Sequence, residues 1–131
     1  MAGFETERLL LSTRDGRNFV VEREFVFTRP AEVGGQQIRV PVGSTTDGAS
    51  TPAIFWSQLP PWGPYFMAAV LHDAAYRGTT VPVIPDQDTA DLLLLEACRA
   101  LGVEERRARL LYNGVRLFGE VAWKRDRGID K

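Results

Sequence analysis

Between Pro64 and Gly78 lies the segment that most limits how this chain can fold, Tyr65-Phe-Met-Ala-Ala-Val-Leu-His-Asp-Ala-Ala-Tyr76. It contains no helix breaker and carries apolar or small residues on nearly every side, the pattern of a helix buried all round. Such a helix must be covered from several directions, so the rest of the chain has to supply layers around it. The same segment holds the lone histidine, His72, beside Asp73. Burying either charge without a partner costs several kcal/mol, so the covering layers must also bring polar partners.

The residues before the segment read as strands. Arg8-Leu-Leu-Leu-Ser12 is a short apolar run, and Arg14-Asp-Gly-Arg17 is a turn signal. Asn18 to Thr28 is rich in β-branched and aromatic residues and stops before Pro30, which cannot donate to a ladder. After a turn at Val33-Gly-Gly-Gln36, Gln37 to Val42 alternates as a third strand. The residues after the segment read as helices. Asp86 or Asp88 caps a helix that runs to about Leu101, before Gly102. Glu104 and Glu105 suit the first turn of another, expected to end near Phe118-Gly119. The expectation is a single-domain α+β fold over 1–131, a small antiparallel sheet packed on about three helices. Residues 1–43 form its β-rich part, 44–62 a loop and short helix, and 63–131 the helical part.

At 131 residues the chain needs neither disulfides nor metal merely to fold. Its single cysteine, Cys98, excludes a disulfide framework and a multi-cysteine zinc site, and is expected in the core. The apolar run 92–95 is too short to span a bilayer, and residues 1–11 carry acids and no cationic start, unlike a secretory signal. The net charge of -1 hides a split. From Pro64 to Cys98 one arginine faces five acids, whereas from Arg99 to Lys131 nine basic residues face five acids. No nucleic-acid motif accompanies that basic end, which reads as a solvated helical face or as a seat for an acidic partner.

Helical spacing puts Tyr76 one turn after His72, and Arg77 one turn after Asp73. The connection from Gly78 to Pro85 is short, so the next helix doubles back and can bring Asp91 to the imidazole. Asp91 would then fix the tautomer of His72, as a general base requires, while Asp73 points about 100° away toward another partner such as a hard cation. The loop Gly43-Ser-Thr-Thr-Asp-Gly-Ala-Ser-Thr-Pro52 is dense in hydroxyls, and Asp47 can complete oxygen coordination begun by Asp73. Ser44, Ser50 and Thr51 are candidate nucleophiles without the flanking glycines of a nucleophile elbow. The plainer alternatives are a turn at Asp47-Gly48 with a cap at Ser50 or Thr51, and a purely structural network at His72 and Asp73. Trp56 and Trp62 either line a groove or pack on the helices.

The strings Thr46-Asp-Gly-Ala-Ser-Thr-Pro52, Ala69-Val-Leu-His-Asp-Ala-Ala-Tyr76, Ala90-Asp91 and Tyr112-Asn-Gly-Val-Arg-Leu-Phe-Gly119 resemble domain-of-unknown-function family 1353. The resemblance implies a tailed-bacteriophage or prophage origin and no particular activity. Separately, His72-Asp73-x-x-Tyr76 resembles the active-site helix of secreted phospholipases A2. That resemblance implies His72 as the base that activates water, Asp91 and Tyr76 as the groups holding it, and calcium on Asp73. The chain lacks the cysteines that staple the paired helices there, and the 43–50 loop stands where a glycine-rich calcium loop would be. Three functions follow as expectations. The first is a small hydrolase acting on lipid or another cell-envelope bond, the second a tail-associated virion component in contact with other virion proteins, and the third an inhibitor of a host protein. Each is expected to be made in the host cytoplasm, with the virion as a further location.

Overall fold

A computed structural model describes residues 3–5, 9–14, 18–46 and 65–129. Asp47, Ser50, Thr51, Trp56 and Trp62 lie outside the described residues. Among the described residues six short strands precede three helices: β1 (Gly3–Phe4), β2 (Leu11–Thr13), β3 (Phe19–Val21), β4 (Phe25–Thr28), β5 (Gln37–Val40) and β6 (Thr45–Thr46), then α1 (Tyr65–Arg77), α2 (Gln87–Ala100) and α3 (Glu105–Asp126). This is the expected α+β architecture, with the strands in the N-terminal half and the helices in the C-terminal half.

The strands form two antiparallel sheets, ordered β1-β4-β5 and β2-β3-β6. The stretch 18–28, expected as one strand, is therefore two strands in different sheets. Glu22-Arg23-Glu24 supplies three consecutive polar residues where a continued strand would need alternation, and the chain bends there. In the first sheet the period-two pattern holds. Phe25 and Phe27 of β4 pair with Val40 and Ile38 of β5, and all four are buried on the same face. Phe4 adds an edge ring to that face, 4.9 Å from the ring of Phe27.

The turn between β4 and β5 is a 3-10 turn over Ala31–Val33, ended by Gly34 and Gly35 with φ of 107° and 64°. A side chain at either position would be strained, which is why two glycines stand here. The connection from α1 to α2 is tied to the outer edge of β5, where Arg39 and Val81 exchange backbone hydrogen bonds of 2.9 Å.

Helix α1 is buried on every side from Met67 to Tyr76, as its composition requires. One cluster of buried side chains joins it to β3, β4, β5 and both later helices. Asp86 caps α2 by accepting from the amide of Thr89 at 2.7 Å. The helix stops at Ala100, and Gly102 takes a left-handed conformation with φ of 83°. Helix α3 runs a further two turns beyond its expected end at Phe118-Gly119. Gly119 is a mid-helix residue whose missing side chain is used for close packing, not for termination.

A buried ion pair, not foreseen in the sequence, binds the first sheet to α2. Arg29, just after β4, grips Glu96 through two parallel hydrogen bonds of 2.9 and 2.7 Å, and each residue is 8% exposed. The Glu96 bond holds the guanidinium pKa above its ordinary value, against the opposing effect of burial.

Candidate functional site

The polar centre lies between the three helices. His72 and Tyr76 of α1 face α2, and the pairing of 72 with 91 and of 76 with 87 shows that α2 runs antiparallel to α1. His72 Nε2 is 2.9 Å from Asp91 Oδ1, and the hydroxyl of Tyr76 donates to the same oxygen at 2.7 Å. All three residues are 0% exposed. The imidazole and the phenol ring stack at a tilt, with centroids 4.4 Å apart. The spacing of one helical turn between 72 and 76 is what allows both to reach one carboxylate.

The other oxygen of Asp91 belongs to α3. Arg116 donates to Oδ2 at 2.7 Å and, through its second terminal nitrogen, reaches Asp88 at 2.8 Å. Asp88 and Asp91 thus share one guanidinium. Gln87 completes the shell, donating at 3.3 Å to the Tyr76 oxygen and at 3.4 Å to Asp91 Oδ2. Tyr76, Arg116 and Gln87 all donate to this carboxylate, which therefore acts as an acceptor on both oxygens and accepts from Nε2 as well. The proton of a neutral imidazole then sits on Nε2, and Nδ1 carries the lone pair. Nδ1 is buried and has no hydrogen-bond partner among the described residues.

Tyr76 remains a donor throughout the useful pH range. Burial raises the phenol pKa well above its ordinary value, and the hydrogen bond to ionised Asp91 raises it further. Cys98 is buried in the core, and desolvation pushes its thiol up to about 12, so it stays protonated and inert.

Asp73 points elsewhere, toward β6. Thr46 donates its hydroxyl to Asp73 Oδ2 in a short hydrogen bond. Thr45 accepts from Arg77 at 2.8 Å, so the described end of the 43–52 loop is fastened to the second half of α1. Ser44 is not a nucleophile candidate in this setting, because it is buried and its hydroxyl donates to the carbonyl of Pro41 at 2.8 Å, closing a turn. Calcium takes six to eight oxygen ligands. At Asp73 the described residues offer one carboxylate and the Thr46 hydroxyl, and among them no group of three or more histidine, cysteine or acidic side chains could hold a metal. That donor set alone does not make a calcium cage.

Two arginines of the last helix region escaped the sequence reading. Arg116 sits on one helical face with Tyr112, Gly119 and Trp123, at spacings of four, three and four. A cation on an otherwise core-facing stripe was the available signal. Arg127 lies over the Trp123 ring at 4.2 Å and donates at 2.8 Å to the carbonyls of Tyr76 and Ala75, and also to that of Ile84. It satisfies the last carbonyls of α1 and so holds the helix end that carries Tyr76.

Gly119 lets α3 approach this centre. A Cβ there would collide with the Tyr76 hydroxyl and lie 3.2 Å from Gln87 Nε2. In an open helix Gly→Ala would stabilise by about 1 kcal/mol. Here Gly119→Ala is expected to destabilise instead, by about 1–3 kcal/mol, because the obstructing atom is anchored by Asp91. Urea unfolding checks the sign, and a stabilised variant would mean that Tyr76 is free to move aside.

Among the described residues no helix is long and apolar enough to cross a membrane. Comparisons with curated proteins and with solved structures find no match to this chain. Residues 19–115 match the family described as "Protein of unknown function (DUF1353)", a span that takes in β3 to β6, α1, α2 and the first half of α3, and stops one residue short of Arg116. The chain belongs to the DUF1353 family.

Proposed function

We propose that this chain is a small bacteriophage-encoded hydrolase acting on an ester or related bond of the cell envelope, with His72 as general base. Asp91 and Tyr76 hold the ring, and Asp73 is the proposed ligand if calcium takes part. The observation that carries the reading is a buried Nδ1 with no hydrogen-bond partner among the described residues, opposite a bonded Nε2. A buried polar atom without a partner costs about 1–3 kcal/mol, and such exceptions call for an explanation such as a catalytic role. In the proposed step Nδ1 takes a proton from water, and the resulting hydroxide adds to the substrate carbonyl carbon. Asp91 stabilises the imidazolium that forms, and Nδ1 returns the proton to the leaving alcohol as the tetrahedral species collapses. The bacteriophage origin is supported by the motif strings at 46–52, 69–76 and 112–119.

The full burial of His72, Tyr76 and Asp91 favours a second reading, a virion component whose polar centre only orders its core. His72→Gln separates the two. Asp91 keeps Tyr76, Arg116 and Gln87 as donors, so stability should fall by only about 1 kcal/mol. Hydrolysis should fall by roughly 10²–10⁴-fold. The assay uses phospholipid and peptidoglycan, each with and without calcium. Wild-type protein inert on every substrate would favour the virion reading.

A further inference from the structure

The outer face of α3 carries a row of exposed apolar side chains. Leu117 and Val121 are 75% and 76% exposed, and Leu110, one helical repeat earlier, is 42% exposed. At 100° per residue the three fall within an arc of about 40°, on a line roughly 16 Å long. Phe118, more than half exposed, borders the line. The opposite side of the helix carries the buried residues Ala108, Leu111, Val115, Gly119 and Trp123, so the exposed line is additional to the face that packs. Soluble proteins rarely display such a row without a use.

Basic residues stand at both ends. Arg106 and Lys124 fall beside one edge of the line, and Arg107 and Arg125 beside the other. At the N-terminal end a shallow groove of about 530 Å³ is lined by Arg106, Arg107, Arg109, Leu110, Asn113 and Glu104. Four arginines (Arg99 with the three in the groove) face two acids there, Glu104 and Glu105. Lys124 and Arg125 keep company with Glu120 at 3.4 Å and Asp126 at 3.0 Å.

We propose that this face of α3 seats the protein on an anionic lipid bilayer. A second copy is a poorer occupant, because joining two such faces, parallel or antiparallel, sets arginine and lysine ends against each other. The one groove described on this face is shallow and lies only at its N-terminal end, so Leu117 and Val121 stand clear of it. Leucine and valine flanked by arginine and lysine suit a deformable surface that accepts apolar side chains and offers negative headgroups. The proposal does not depend on the hydrolase reading.

Co-sedimentation of the full chain with ether-linked vesicles tests it, since those lipids lack the ester a hydrolase would cut. Binding is expected to phosphatidylcholine vesicles containing roughly one-third phosphatidylglycerol, and to be much weaker to phosphatidylcholine alone. The double variant Leu117→Glu with Val121→Glu should lose binding by roughly tenfold or more. Arg106→Glu, at a side chain 92% exposed, should lose about fivefold and only on anionic vesicles. Failure of wild-type protein to bind anionic vesicles would overturn the proposal, as would variants that bind like wild type. A lipid-free dimer dissolved by the Leu117 and Val121 changes would assign the face to self-association instead.

Discussion

Asp91→Ala is expected to lower stability by about 3–5 kcal/mol, the largest loss from any one side chain of the polar centre. The carboxylate is wholly buried and receives His72, Tyr76, Arg116 and Gln87. Truncation strands the Nε2 proton and the Tyr76 hydroxyl, both in residues with no exposure, at about 1–3 kcal/mol each. Arg116 suffers less, because its partly exposed side chain keeps Asp88 and reaches water. For a chain of this length the loss corresponds to a fall in melting temperature on the order of 10 °C or more. Asp91→Asn should fall between, since its amide keeps the volume but offers donors where two donors already point. Chemical unfolding with coincident fluorescence and circular-dichroism transitions measures both variants. A loss below about 1 kcal/mol for Asp91→Ala would mean that water or rearrangement satisfies the stranded groups.

Glu96→Ala carries the second large expected effect, again about 3–5 kcal/mol, through an unrelated cause. Arg29 cannot be neutralised within the protein stability range, so removing its partner leaves a nearly buried guanidinium with a charge and no acceptor for the two bonds at 2.9 and 2.7 Å. The pair itself is another matter. Desolvating two ions cancels much of their attraction, so Arg29→Met with Glu96→Leu together should return stability to near that of the wild type or above it. A double-mutant cycle measures the difference directly. If the double replacement proves as damaging as Glu96→Ala, the pair is net stabilising and joins β4 to α2 by energy, not only by geometry. The proposed hydrolysis should survive these changes once protein is folded, because Glu96 bonds to Arg29 and takes no part in the His72–Asp91 hydrogen bonds.

Local pattern carried much of this structure. The apolar surround of 65–76 foretold a central helix, a cap at Asp86 or Asp88 (Asp86 in the structure) and the break at Gly102 marked α2, and alternation over 37–42 marked β5, which ends at Val40 before Pro41. The short return at 78–85 was enough to place Asp91 beside His72, because two antiparallel helices with so little chain between them have few registers. What stayed hidden depends on partners distant in sequence. Gly119 has the local look of a helix end, and only the approach of Tyr76 explains a glycine there. Arg116 joins Asp88 and Asp91 from a helix 25 residues beyond the latter, and Arg29 meets Glu96 across 67 residues. The division of 18–28 between two sheets follows from which later strands are available, β6 for one half and β5 for the other.

The proposed base role of His72 requires one tautomer, with Nε2 donating to Asp91 and Nδ1 without a partner among the described residues. The protein has one histidine, so nitrogen-15 NMR of the imidazole reads that claim without overlap. The expected result is a ring proton on Nε2, protected from solvent exchange, with Asp91→Asn perturbing that nitrogen most. A ring protonated on Nδ1, or averaging freely between tautomers, would contradict it.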